Sequence, residues 1–386
     1  MDQRTIQILF ALLRSAIRGT KLTDNERKSY SADMLQDLLK LSAKHDVIHL
    51  LVLGLKQNEL ISKENAEIEK YILKAVYRYE RLRYEYDILC DALEKVQIPF
   101  LPLKGSVLRQ YYPEPWMRTS CDIDVLVHQN DLETAIAYLL KNHNYVEKER
   151  ATHDVSLFTQ TGVHVELHFD LVEEGRAKKA IDVLKSVWEN VILHENSEYW
   201  YEMTDAYFYF YHIAHMAKHF ENGGCGIRPF IDLWILDHMD GADSHERDKL
   251  LFDGDLLRFA NTSRKLSNIW FENEETDELS LQMQDFILHG GVYGSSDNRV
   301  ALQQRKQGGR IGYILSRVFV PYAKLKRYYP ILEKRRWLAP VMQIRRWFML
   351  LKPEVAKMAK QEMEINSNIE KSKANEMSSF LVNIGL

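Results

Sequence analysis

"TSCDIDVLV", residues 119–127, sets two aspartates one residue apart inside a run that otherwise reads as a buried strand. A carboxylate is costly to bury unless something compensates its charge. Strand side chains alternate faces, so Asp122 and Asp124 point one way while Ile123 and Val125 point the other. At a rise of about 3.3 Å per residue their Cα atoms lie roughly 6.6 Å apart. Both carboxylates can then reach one hard divalent cation, or bridge two. Oxygen ligands of this kind suit Mg²⁺ (or Mn²⁺), and magnesium also retains waters and accepts phosphate oxygens. A cation is the expected compensation; solvent-facing acids on an edge strand are the plainer reading, which the surrounding apolar residues disfavour.

Working outward, "GVHVELHF" (162–169) places His164, Glu166 and His168 on one strand face and Val163, Val165 and Leu167 on the other. If this strand pairs beside 121–127, Glu166 joins the aspartates. Two-metal phosphoryl transfer uses such a trio, with metals ~3.5–4 Å apart. Were Glu166 to face away, His164, His168 or Asp170 would have to activate the acceptor instead. Upstream, "LPLKGSVL" (101–108) supplies a strand, then Gly105 and Ser106, then a helix start. Its free amides and helix dipole suit a phosphate, and Lys104 and Arg118 add positive charge.

In this order the motifs resemble a known family. The run "PLKGSVLRQYYPEPWMRTSCDIDVLV" is similar to the signature of the uncharacterised nucleotidyltransferase family of the DNA polymerase β-like superfamily. The resemblance implies a Gly105-Ser106 turn for the nucleotide, Asp122 and Asp124 as the metal pair, and Glu166 as the third acid. Lys104, Tyr112, Pro113 and Arg118 match that family's own elaboration of the motif. The stretches "HMAKHFENGGCGIRPFIDLWIL" and "LSRVFVPYAKLKRYYP…WLAPVMQIRRW" also look like it. Two departures stand out: fifteen residues separate Ser106 from Asp122, a long spacing, and the third acid is glutamate where many superfamily members have aspartate.

The rest of the chain sets the frame. With 386 residues, a net charge of −4 and ordinary apolar content, it reads as a globular protein of several packed units. The balance argues against general coating of nucleic acid. Cys90, Cys121 and Cys225 form neither a disulfide framework nor a zinc motif, so reduced thiols in a cytoplasmic protein are expected. Asp2, Arg4 and Arg14 interrupt the N-terminal apolar run, which does not read as a signal peptide. No stretch of eighteen apolar residues predicts a membrane span.

Periodicity divides the chain into a helical region (1–97), a mixed α/β core (98–175), a second helical region closing a cleft (176–290) and a basic helical region with a tail (291–386). The fold class expected is α+β, a small mixed sheet embedded in a largely helical chain. A long charged helix is predicted over about 63–96, others over 178–190, 203–220, 229–239, 246–260, 278–288 and 310–350. Residues 292–309 read as a mobile loop, and the polar tail after Pro353 as frayed.

Five further residues are expected to line the cleft with His168: His215, Lys218, His219, Arg228 and Asp232. His212, His215 and His219 share one helix face, but Met216 follows His215, so the zinc motif HExxH is absent. Arg228 and Asp232, four apart, predict a pair along a helix. The arginines and lysines of 310–346 (Arg310, Arg317, Lys324, Lys326, Arg327, Lys334, Arg335, Arg336, Arg345, Arg346) alternate with aromatics, a pattern that also occurs in single-strand RNA binders.

The expected function is metal-dependent transfer of a nucleoside monophosphate from a triphosphate (ATP-binding among the options) to an acceptor hydroxyl. That acceptor, a small molecule, protein or RNA, is unidentified. The alternatives are an inactive nucleotide- or partner-binding module of the same fold, and an RNA-binding protein working through 310–346.

Overall fold

Seven strands account for the β structure of the computed structural model, which describes residues 2–61, 66–172, 178–329, 331–349 and 352–386. They are β1 (Phe100–Pro102), β2 (Asp122–Val127), β3 (Val146–Arg150), β4 (Asp154–Phe158), β5 (His164–His168), β6 (Val191–Leu193) and β7 (Tyr201–Met203). The first five form one mixed sheet in the order β1-β2-β5-β4-β3, and β6 and β7 form a separate two-stranded ribbon. Within the mixed sheet neighbouring strands pair antiparallel except β2 and β5, which pair parallel. The chain crosses between them through helix Leu132–His143 and then the β3–β4 hairpin, since parallel neighbours need a long connection. Gly162, at φ 78°, makes the tight turn between β4 and β5.

Alternation decides how the sheet packs. Ile123, Val125, Val165 and Leu167 are fully buried against Leu139 of that crossover helix and Leu89 and Leu93 of helix Ala66–Lys95. The face bearing the acids is thereby turned the other way. A second, larger core joins Leu9, Leu12 and Leu13 of helix Gln3–Arg18 to Phe210, Phe220, Phe230 and Trp270 of later helices. It also takes in Leu101, Leu103 and Leu126, so the sheet unit is seated on the helical body. The run "YFYFYHIAH" lies in helix Asp205–Glu221, where Tyr207, Tyr209 and Phe210 are fully buried.

The α+β class holds, and the five-stranded sheet falls within 98–175. However, β6 and β7 lie in the stretch from 176 onward expected to be helical, and the helix expected over 178–190 ends at Leu184. Several other elements also differ from their expected form. Residues 292–309 are not a loop: Ser296–Lys306 is a helix, with the Ser295 side chain accepting from the Asp297 N–H as its cap. The tail is two helices, Pro353–Asn368 and Lys371–Ile384. Phe380, Leu381 and Ile384 on the last of them reach the large core. Their three apolar side chains outweigh the polar composition that suggested fraying. The helix expected over 246–260 is two, Ser244–Asp253 and Leu257–Glu272, separated by Asp255 in the left-handed region at φ 61°. Segment 310–350 divides into short helices, with Pro321 standing at the start of one of them. The start of the long helix expected at 63–65 falls outside the described residues.

All three cysteines are unpaired, with Cys90 and Cys225 buried and Cys121 exposed. Among the described residues, no helix is long and apolar enough to cross a membrane.

Candidate active site

β2 and β5 pair in register, Asp122 opposite His164, Asp124 opposite Glu166 and Leu126 opposite His168. With a two-residue side-chain period, the polar members of both strands share the face turned from the sheet's apolar core. Asp124 is almost wholly buried, at 3% exposure, whereas Asp122 and Glu166 are half-buried.

What stands opposite the buried aspartate is Lys104. Its ammonium donates to Asp124 Oδ1 at 2.8 Å and lies 4.0 Å from Glu166 Oε2. On the other side, His168 Nε2–H donates to the same Asp124 oxygen at 3.0 Å and is 3.4 Å from Glu166 Oε2. Lys104 reaches this position from an unusual backbone, φ 47° and ψ −119°, a conformation glycine adopts readily and other residues rarely. Such strain costs about 1–3 kcal/mol and persists only where its surroundings enforce it. Here the Leu103 N–H bonds to the Asp124 carbonyl at 3.0 Å and pins the turn to β2.

The two aspartates therefore differ electrically. Burial pushes the Asp124 carboxyl up, but Lys104 and the His168 hydrogen bond more than reverse this and hold it far below the usual range. Burial also pushes Asp122 up; there the neighbouring Asp124 charge adds to the rise, and Lys104 does not cancel it. Burial alone would lower His168, yet its bonds to Asp124 and Glu166 raise it.

The donor atoms suit a divalent cation. Asp122, His164 and Glu166 offer ligand atoms all within 4.8 Å of one another, and Asp124, Glu166 and His168 form a second such set. Glu166 is common to both. Predominantly carboxylate donors fit Mg²⁺ or Mn²⁺ better than a softer ion.

Above this floor lies a cavity of about 520 Å³, the size range of small-ligand sites. Lys104, Gly105, Asp122, Asp124 and Glu166 line one side. His215, Lys218, His219, Arg228 and Asp232, all expected at a cleft, line it too. His168 lies beneath, behind Asp124. His215 and His219 bring their Nε2 atoms within 3.3 Å, whereas His212 is held by the Pro229 carbonyl at 3.0 Å.

Three expected residues sit differently from their sequence reading. Ser106 is half-buried outside the cavity lining, and its N–H is spent on the Leu103 carbonyl at 3.2 Å. The helix it opens, Gly105–Leu108, is only four residues, too short for a substantial dipole. Arg118 lines the cavity, but its Nε and Nη2 bond Asp232 at 2.8–3.1 Å and Nη1 bonds the Thr119 carbonyl at 2.8 Å. Tyr112 donates to Asp232 as well, at 2.7 Å.

The helical pair expected between Arg228 and Asp232 is therefore not what forms. Arg228 instead bonds Asp46 at 3.0 Å and the Thr119 carbonyl at 2.9 Å. The segment 118–119 comes between the two side chains and offers each a closer partner.

Sequence reading also missed Asp46, Arg78, Arg109 and Tyr293. Arg109 clamps the Gly105 carbonyl and Ser120 Oγ, both at 2.8 Å. Gly105 packs tightly here: a Cβ there would stand 3.1 Å from the Ser120 Cβ, so a larger residue needs Ser120 to give by a few tenths of an ångström. Nothing in local sequence distinguishes Asp46 or Arg78 from ordinary surface charges; Arg109 had one faint signal, its spacing of four from Gly105. Among the described residues, none of the basic side chains of 310–346 lines the cavity. Arg317 pairs with Glu362 at 2.6 Å, while Arg336 and Arg345 stack over Tyr322 and Tyr329.

No curated protein and no solved structure matches the chain. Residues 31–272 match the model of a family described as an uncharacterised nucleotidyltransferase, a span that includes every residue of the acidic floor and ends before the C-terminal stretch that also resembled it. With well over half its length matched around this site, the chain belongs to that nucleotidyltransferase family.

Proposed function

We propose that the protein transfers a nucleoside monophosphate from a nucleoside triphosphate to an acceptor hydroxyl and releases pyrophosphate. The observation that carries this reading is the convergence of Asp122, Asp124 and Glu166 on one face of paired strands, at the floor of a nucleotide-sized cavity beside the Gly105 turn. These carboxylates would hold Mg²⁺ or Mn²⁺, which when bound withdraws charge from the α-phosphate and stabilises the leaving pyrophosphate.

The chain's own residues do the remainder. Lys104, Lys218 and Arg228 bring positive charge to the cavity wall, where a triphosphate needs it. Gly105 keeps the turn close-packed on Ser120, and Arg109 holds that packing from behind. Arg118 acts through Asp232, tying the motif loop to helix Arg228–Asp237 so that the sheet and the helical wall face each other. Glu166, half-buried and facing the cavity, accepts the proton of the acceptor hydroxyl as general base.

The test is incubation with each α-labelled nucleoside triphosphate, Mg²⁺ or Mn²⁺ and a cell extract, following transferred label and pyrophosphate. Label transfer that disappears in an Asp122→Asn variant supports the reading. Metal-dependent nucleotide binding without pyrophosphate release would instead make the chain a binding module.

A further inference from the structure

We propose that the Lys104 ammonium fills one of the two cation positions of the acidic floor, so that the site takes a single divalent ion, on the side of Asp122, His164 and Glu166. The inference rests on the nucleotidyltransferase reading of the site but concerns a question that reading leaves open, how many metal ions these carboxylates accept.

Three observations carry it. First, the ammonium lies 2.8 Å from Asp124 and 4.0 Å from Glu166, between the two carboxylates a second cation would have to join. His168 Nε2 approaches the same two carboxylates, at 3.0 and 3.4 Å. Asp124 thus already has an ammonium and an imidazole N–H against it, and a divalent ion there would meet both at close range.

Second, the position of Lys104 is enforced. A backbone at φ 47° and ψ −119° suits glycine, yet a lysine occupies it, and the adjoining Leu103 N–H is bonded to the carbonyl of Asp124 itself. The turn delivers the ammonium to the aspartate on the neighbouring strand. A flexible surface lysine attracted by a stray acid would need no such backbone.

Third, the positive charge is unevenly shared. The ion pairs of Lys104 and the close approaches of His168 go to Asp124 and Glu166. Asp122, His164 and Glu166 still form a set with ligand atoms within 4.8 Å of one another. That set is where negative charge remains to be neutralised.

Titration of the full-length protein with Mn²⁺ alone, followed by electron paramagnetic resonance, tests the assignment. Wild type is expected to bind one Mn²⁺ per chain. Lys104→Met is expected to bind two, or to bind the first roughly tenfold or more tightly, the scale on which one adjacent charge alters an ionic equilibrium. Lys104→Gly, which removes the ammonium while suiting the backbone, provides the same test should the methionine variant fold poorly. Two ions in the wild type, or one ion of unchanged affinity in both variants, would overturn the role of Lys104 while leaving the nucleotidyltransferase reading intact. No Mn²⁺ in any of the proteins would overturn the cation positions altogether and count against that reading too.

Discussion

Lys104 meets Asp124 and Arg118 meets Asp232 at the same separation, 2.8 Å, and both aspartates are buried. The surroundings differ. Around Asp232, Arg118 and Tyr112 supply directed donors, and the spare Arg118 nitrogen is taken by a backbone carbonyl. Charge balances and the pair is closed. Around Asp124, two carboxylates, its own and that of Glu166, share Lys104 and His168, and a strained turn carries the lysine. Asp122 stands with His164 beside Glu166, and Asp122 and Glu166 remain partly open to the cavity. A buried ion pair whose partners are saturated holds elements together; one embedded in excess charge of one sign is prepared for a ligand.

The largest effect that would test this contrast comes from Asp124→Asn. Transfer should fall roughly 10³-fold or more, since several kcal/mol of transition-state stabilisation are withdrawn. Stability should fall as well, because Lys104 and His168 stay buried beside a neutral partner. Label transfer and thermal melting measure the two. A variant melting above wild type would show that Asp124 is repelled by its acidic neighbours more than it is held by its cations.

Arg118→Met should cost about 3–5 kcal/mol in urea unfolding, the usual penalty for stranding one member of a buried pair. Replacing Asp232 with Leu in the same chain should recover much of it. Failure of that rescue would mean the pair has work beyond holding the loop to its helix.

Two buried histidines should dominate the acid response. His45 and His49, 0% and 2% exposed, are pushed down to about 4 by burial. Below the ordinary histidine range the unfolded chain takes up protons that these rings refuse, so stability falls with pH. Between about pH 6.5 and 5 the loss is roughly 2 kcal/mol per ring. Unfolding measured across that window in wild type and His45→Gln checks it, and a profile equally steep in both would remove His45 from the account.

Glu166→Gln should lower the chemical rate roughly 10²-fold, the scale of a lost general base, while nucleotide still binds. Lost nucleotide affinity at an unchanged rate would make Glu166 a binding residue. The smallest effect is that of Asp122→Asn on stability, a gain of about 1 kcal/mol or less, as relief of repulsion near a surface is modest. A clear fall in melting temperature would show that Asp122 is as well compensated as Asp124.

Local pattern carried much of the site. The alternation in "CDIDVLV" and "HVELH" is enough to place Asp122, Asp124 and Glu166 on faces opposite their apolar neighbours, because a strand has only two faces. Position alone makes Asp122 and Asp124 look equivalent, and repulsion predicts that either asparagine variant is stabilised. Lys104 separates them. The tail was misjudged for a related reason: three apolar side chains on a polar helix weigh little in composition but decide docking when a core is there to receive them.

By itself, then, the sequence determined the α+β class, the strand faces that carry Asp122, Asp124 and Glu166, and the membership of a nucleotidyltransferase family, all of which follow from short-range periodicity and motif order. Only the tertiary structure decided which cation answers which carboxylate. Lys104 and Asp124 are 20 residues apart, Arg118 and Asp232 114, Arg228 and Asp46 182. Such pairings form where helices and sheet are pressed together by hydrophobic burial, and buried charges then take the nearest partner that packing provides. Neighbours four apart on a helix lose to that geometry, as Arg228 and Asp232 show.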